Sequence, residues 1–145
     1  MSIQVEVVGE VTGEVVEAFG RLLPQLSRSA TPPDRRALAG ILSCPANTVL
    51  VARLDGEIVG TLTLVMFPIP SGLRARIEDV VVDQAARGQG AGAALTLEAL
   101  RLARERGART VDLASRPSRE AANRLYQRLG FQPRDTQVYR FDLEG

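Results

Sequence analysis

The chain has 145 residues and a net charge of +1, from 18 basic and 17 acidic side chains; every basic residue is arginine, lysine, histidine and tryptophan are absent, and Cys44 is the one cysteine. A Ser-His-Asp triad, a histidine base, a lysine Schiff base and a Walker-type lysine are therefore excluded, as are a thiolate metal cluster and an internal disulfide. The near-zero charge projects no field toward nucleic acid, and no apolar run reaches the ~18–20 residues that span a bilayer, so neither partner is expected. The opening residues lack the basic and apolar regions of a signal peptide, which points to the cytoplasm.

Ile3, Val5 and Val7 alternate with polar residues and predict a strand ending near Gly9. Val15, Phe19, Leu22, Leu23 and Leu26 recur at helical spacing, with Pro24 expected to kink or end that helix. Thr31-Pro32-Pro33-Asp34 reads as an N-cap, a proline at the first helical position and an acid two residues on, opening a short helix with Leu38, Ile41 and Leu42. Cys44, next to Pro45 and without a basic neighbour, is expected to be buried and inert. Thr48 to Leu54, the turn Asp55-Gly56 and Glu57 to Met66 form the strongest hairpin signal. Phe67 to Gly72 reads as a loop because of its prolines.

A strand follows from about Arg74 to Asp83, and its Val80-Val81-Val82 run suggests burial on both faces. Residues 90 to 106 form the clearest helix, with Leu95, Ala99 and Leu102 inward, a solvated stripe of Glu98, Arg101 and Glu105, and Gly107 beyond its end. Thr110 to Ala114 predicts a short strand, Ser118 to Leu129 a helix closed by Gly130, and Gln137 to Leu143 a last alternating strand. The order β-α-α-β-β-β-α-β-α-β implies an α/β protein (an α+β mixed sheet) with helices on both faces, in a single domain over residues 1–145.

Arg87-Gly88-Gln89-Gly90-Ala91-Gly92 joins a buried strand to a helix. Its glycines let the backbone turn sharply and come close to a ligand, while the free N–H groups of the helix's first turn favour an anion, phosphate above all. Arg87 adds a permanent cation that can fork onto phosphate oxygens. A turn needed only for packing the helix on the sheet would use the same glycines. Gly88-x-Gly90-x-x-Ala93 also satisfies a dinucleotide fingerprint. Asp83 to Arg87 intervene between the valine run and its first glycine, however, and too little chain follows for a dinucleotide-binding sheet.

This segment resembles the Arg/Gln-x-x-Gly-x-Gly/Ala motif of the GNAT superfamily of acyl-CoA-dependent N-acyltransferases. The likeness extends to the preceding Ile77–Asp83 strand and to Asn123-Arg124-Leu125-Tyr126, which with Gly130-Phe131 resembles the family's Asn-x-x-Tyr-x-x-x-Gly-Phe segment. The resemblance implies a GNAT-like fold in which parallel strands 74–83 and 110–114 splay apart to admit acetyl-CoA, with no metal. Its pyrophosphate would lie over Arg87, Gly88, Gln89, Gly90, Ala91 and Gly92, and its pantetheine along Val80, Val81 and Val82 and against Asn123. Direct acetyl transfer to a primary amine, a small molecule or a peptide, is the implied reaction. A non-catalytic acyl-CoA-binding module is the alternative, and a homodimer is compatible with either.

Tyr126 is the family-matched proton donor to the departing thiolate, unless its ring merely packs and its hydroxyl finds a local partner. With no histidine, Glu78 and Asp79 are the candidate bases, Glu78 preferred; pairing of the carboxylate with Arg74 or Arg76, or loss of the proton to solvent, stays open. Asn123 could equally make a local helix bond. Ile77-Glu78-Asp79 resembles the strand of glucosamine-phosphate acetyltransferases, but the acceptor stays open among sugar amines, polyamines, amino acids, antibiotics and protein amines.

Overall fold

In the computed structural model, which describes residues 2–144, the chain forms two compact units, Met1–Ala114 and Ser115–Gly145. The first contains a mixed five-stranded sheet. Strands β1 (Ile3–Val7), β2 (Asn47–Leu54), β3 (Glu57–Ile69) and β4 (Gly72–Val82) pair antiparallel in that order, and β5 (Val111–Asp112) joins β4 in parallel. Asp55 and Gly56 take positive φ, 52° and 85°, as the tight turn between β2 and β3 requires.

Facing residues of neighbouring strands share a side of the sheet, and successive residues alternate sides. Val49 and Val51 therefore face one side, in a core cluster with Val15, Phe19, Leu22 and Leu23 of α1 (Gly13–Leu26) and Leu38 of α2 (Arg35–Ser43). Gly60 pairs with Ala52 and faces the other side, under α3 (Ala91–Glu105). A Cβ at Gly60 would lie 3.3 Å from Leu95 Cδ1 and 3.1 Å from the Val81 carbonyl, so this small residue sets how closely α3 lies on the sheet. Helices cover both faces, as the element order implied.

Helix α3 follows its pattern closely. Leu95, Ala99 and Leu102 are buried, and Arg101 bonds to Glu98 at 2.7 Å and to Glu105 at 2.8 Å. Its end is a Schellman pattern, with Gly107 N–H on the Arg104 carbonyl at 3.1 Å and Ala108 N–H on that of Ala103 at 3.0 Å. The second unit carries α4 (Glu120–Arg128), closed the same way by Gly130 and Phe131.

Elsewhere local chemistry overrides the sequence reading. Asp34, not Thr31, caps α2, its carboxylate accepting from Ala37 N–H at 2.8 Å. Pro33 disfavours the helical region for Pro32, so the helix starts only after both prolines. Pro24 lies inside α1, which runs on to Leu26; so near the helix's end, the lost N–H forfeits a single bond. The expected Phe67–Gly72 loop is mostly strand, with Phe67 paired to Arg74 and Pro68 to Leu73. Pairing with β2 ends at Asn47↔Val65, so beyond it β3 has one neighbour and tolerates proline.

Three further expectations fail. Of the valine run only Val81 is buried, with Val80 and Val82 partly covered. Residues 137–143 form no strand, because no neighbouring strand takes up their backbone groups. Cys44 is exposed, since it follows the last turn of α2 and lies past the inward-facing Leu42.

Helix α1 is tied to the end of β4. Arg21 Nη1 donates to Asp83 at 2.8 Å and Gln25 Nε2 at 3.4 Å. The Ala85 N–H, then Arg21 and Gln25, hold the Asp83 carboxyl below its ordinary pKa. With the folded-state pKa depressed, this stabilisation is present above the unfolded value and is lost as pH falls through the folded one. Melting temperatures measured below about pH 5 should thus fall less steeply for Asp83→Asn than for the unaltered chain.

Candidate active site

The two candidate carboxylates stand at an irregularity in β4. Thr63 pairs with Glu78 and Thr61 with Val81, so Leu62 faces both Asp79 and Val80 across a β-bulge. Asp79 has φ 51°, a left-handed conformation that costs most side chains ~1–2 kcal/mol and that aspartate tolerates better than most. On the other edge of β4, pairing with β5 covers only Ala75↔Val111 and Arg76↔Asp112. The parallel strands thus part after a short contact. From Ile77 onward β4 has no strand neighbour on that edge among the described residues, and the bulge leaves its extra residue unpaired toward β3. Such backbone groups can bond to an amide-bearing ligand.

Glu78 Oε2 accepts from Arg76 Nε at 3.1 Å, with both side chains exposed, which is the pairing the sequence left open. Asp79 makes no ion pair among the described residues. Partial desolvation, and then the neighbouring Glu78 charge, raise its carboxyl above the ordinary aspartate value.

Beyond β4 comes a 3-10 turn, Gln84–Ala86, capped by the Asp83 side chain, and then the glycine loop. Gly88 and Gly90 have φ of 80° and 91°, and an added Cβ at either would meet nothing within 4 Å. Backbone conformation, not crowding, is what requires glycine here. Gly90 caps α3 without a side-chain bond, and the first helical acceptor in use is its carbonyl, which takes Ala94 N–H at 3.0 Å. The N–H groups of Ala91, Gly92 and Ala93 are left without helical acceptors. Arg87 and Gln89 are exposed beside them, and Arg87 makes no ion pair among the described residues. Aligned donors at a 15-residue helix, with a free guanidinium alongside, suit a phosphate-bearing ligand.

In the second unit, Tyr126 is 7% exposed and meets Phe131 edge-on, with centroids 5.7 Å apart and planes at 66°. Burial raises its phenol above the ordinary value, against a smaller lowering by Arg119. Its hydroxyl has no hydrogen bond among the described residues. Asn123 lies one turn earlier on α4, and its Nδ2 donates to the Arg116 carbonyl at 3.0 Å. The amide N–H2 is thus engaged locally, holding the turn that precedes the helix. Ser115 Oγ is shielded and has no hydrogen-bond partner among the described residues; a serine after a short strand carries no sequence pattern that would mark it.

In the first unit a cavity of about 420 Å³ is lined by Glu6, Glu10, Glu14 and Arg53 among others, and by no residue of the bulge or the glycine loop. Arg53 is neutralised there by Glu6 and Glu14 at 2.8 and 2.7 Å. Among the described residues no three His, Cys, Asp or Glu side chains are grouped to hold a metal ion, and no helix is long and apolar enough to cross a membrane.

Residues 15–131 match the profile of the Acetyltransferase (GNAT) family. A glucosamine 6-phosphate N-acetyltransferase from Trypanosoma brucei brucei is 36% identical over 139 residues, covering 92% of this chain and 86% of the relative. The crystal structure of a Trypanosoma brucei acetyltransferase superposes with a TM-score of 0.79 at 29% identity, over 98% of this chain and all (100%) of the other. That of a transcriptional regulator from Bacillus halodurans C-125 gives 0.81 at 28% identity, over 96% and 100%. Family members use acetyl-CoA, and this chain belongs to the GNAT family as an acetyltransferase.

Proposed function

We propose that this chain transfers an acetyl group from acetyl-CoA to a primary amine in a ternary complex, in the cytoplasm, with residues 1–145 acting as one acyltransferase domain. The observation that carries this proposal is the Arg87–Gly92 loop, where two left-handed glycines open a helix without a side-chain cap, beside an arginine in no ion pair among the described residues. These groups fit acetyl-CoA. Arg87 and the N–H groups from Gly88 to Gly92 are donors for its pyrophosphate, with Gln89 alongside. The backbone of Val80, Val81 and Val82 offers bonds to the pantetheine amides, and Asn123 Oδ1, which accepts no bond among the described residues, is a further candidate for that arm. Acetyl-CoA supplies an activated thioester carbonyl.

In the reaction the amine nitrogen bonds to the carbonyl carbon, the carbon–sulfur bond breaks, nitrogen loses a proton and the thiolate gains one. A backbone N–H at the bulge near Val80 would stabilise the charge on the carbonyl oxygen. Tyr126, a phenol protonated at neutral pH whose pKa burial raises further, is the donor proposed for the sulfur.

For the base we favour Asp79 over Glu78. Glu78 is held by Arg76, whereas Asp79 is unpaired among the described residues and more basic than an ordinary aspartate. Asp79→Asn should lower kcat/KM at neutral pH by about tenfold and remove an acid limb lying above the ordinary aspartate pKa; Glu78→Gln should keep that limb. The raised carboxyl is destabilising once ionised, and asparagine accepts positive φ, so Asp79→Asn should melt no lower than the unaltered chain. Loss of activity without loss of stability marks a functional residue rather than a structural one.

The acceptor we propose is an amino-sugar phosphate, glucosamine 6-phosphate first. The trypanosomal relative and the Ile77-Glu78-Asp79 stretch support it. Thiol release from acetyl-CoA, followed over glucosamine 6-phosphate, glucosamine, polyamines, amino acids, an aminoglycoside and a lysine peptide, tests this. The expected result is the highest kcat/KM with the sugar phosphate. Thiol release with none of the amines would overturn the proposal, and NADH, rather than acetyl-CoA, raising the melting temperature would favour a nucleotide-binding protein.

A further inference from the structure

Asp83 follows the last residue of β4, and its N–H still reaches the Val59 carbonyl of β3 at 2.7 Å. The next N–H, that of Gln84, donates instead to a helix side chain, Gln25 Oε1, at 2.9 Å. The same amide donates from Nε2 to Asp83 Oδ1 at 3.4 Å. Arg21, one turn earlier on α1, donates from Nη1 to Asp83 Oδ2 at 2.8 Å and from Nη2 to the Ile58 carbonyl at 3.2 Å. These partners lie 37 to 62 residues away in the chain, so the bonds are not what forms the helix. Its own stability comes from the buried Val15, Phe19 and Leu22 on the opposite side of the bookkeeping of local pairs.

We propose that Arg21 and Gln25 are positioning residues for acetyl-CoA, holding the start of the Arg87–Gly92 loop in its phosphate-binding conformation through Asp83 and Gln84. The proposal rests on the reading of that loop as the pyrophosphate site. The bonds run in series. Gln25 holds the Gln84 N–H, and the Gln84 carbonyl accepts from Arg87 N–H at 3.4 Å. Arg21 holds the Asp83 carboxylate, which accepts from Ala85 N–H at 3.1 Å. Only the turn Gln84–Ala86 separates these anchors from Arg87, so a shift at Gln84 is carried into the loop. At the loop's other end α3 is fixed by the buried Ala91 and Leu95. Between the two ends Gly88 and Gly90 have wide freedom, and ordering them on binding costs affinity unless the ends are already set. Ala86 is buried as well, but a methyl contact has no direction, whereas hydrogen bonds fix orientation. Charge acts in the same sense. A bare carboxylate at Asp83, so close in the chain to Arg87, would oppose an anionic ligand, and the Arg21 guanidinium offsets it.

Gln25→Met keeps the side chain's length and removes its donor and acceptor at an exposed helix position. Equilibrium titration of the full chain with CoA should give a Kd raised about tenfold. At saturating acetyl-CoA, kcat with glucosamine 6-phosphate and the KM for that amine should stay within about threefold. Arg21→Met should weaken CoA binding similarly, and Arg21→Lys should recover most of the loss, because an ammonium can still meet Asp83. A merely structural role would move melting temperature, kcat and both affinities together. A double-mutant cycle with Arg87→Ala tests the route: if Gln25 acts through the start of the loop, its effect on Kd should shrink to about threefold or less once Arg87 is gone. Equal effects in the two backgrounds overturn the proposal, as does a Gln25→Met chain that binds CoA as tightly as the unaltered one. Undiminished CoA affinity in Arg87→Ala, or no CoA binding by the unaltered chain, overturns the reading of the loop itself and the positioning role with it.

Discussion

Tyr126→Phe is expected to lower kcat by about 10²–10³-fold while leaving the KM for acetyl-CoA within about threefold and the melting temperature unchanged. The substitution keeps the ring, which is the part engaged with Phe131, and keeps the Schellman bond from Phe131 N–H to the Tyr126 carbonyl at 2.9 Å. No hydrogen bond of the hydroxyl is lost among the described residues, so folding has little to register. What disappears is a phenol donor, protonated at neutral pH at its ordinary pKa and more so with burial raising it. Thiolate expulsion must then draw its proton from water, and the chemical step slows without a change in binding. Steady-state thiol release at several pH values checks this. An unchanged kcat would make Tyr126 a packing residue and move the proton donor elsewhere, with the fold unaffected.

The parts of the site legible in the sequence are those written in local chemistry. Glycines at 88 and 90 announced a loop with left-handed backbone, and the heptad-like burial of Leu95, Ala99 and Leu102 announced the helix it opens. Gly107 and Gly130 marked both helix ends for the same reason. What the sequence hid depends on neighbours. The bulge at Asp79 arises from the register between β3 and β4, and an aspartate in a run of strand formers carries no sign of positive φ. Pro68 breaks strands in general but lies where β3 has one neighbour, a fact set by the length of β2. The sequence alone prefers Glu78 as the base; its ion pair with Arg76 and the partial desolvation of Asp79 are what favour Asp79 instead. The alternation at 137–143 reads as a strand, yet alternation alone supplies no partner strand, and none pairs with it among the described residues.

Replacing Gly88 and Gly90 together by valine is expected to raise the KM for acetyl-CoA by about a hundredfold. At both positions the backbone occupies the left-handed region, at φ of 80° and 91°. There a Cβ costs roughly 1–2 kcal/mol per residue, and a β-branched side chain has little room to relieve it. Since nothing lies within 4 Å of either Cβ position, the variant loop is free to relax to another conformation, and the fold loses little stability. Recovering the cradle on binding then consumes affinity: 2–4 kcal/mol in total corresponds to roughly 30–1,000-fold, because apparent affinity falls by the fraction of molecules in the competent state. At saturating acetyl-CoA kcat should stay within about threefold, since loop and chemistry are separate demands. Gly88→Ala and Gly90→Ala singly should fall between, near tenfold each and roughly additive in free energy. Equilibrium titration with CoA, alongside the kinetics, separates binding from turnover. Full CoA affinity in the double variant would show that left-handed backbone at these positions is not what holds the phosphates, leaving Arg87 and the first turn of α3 to do so.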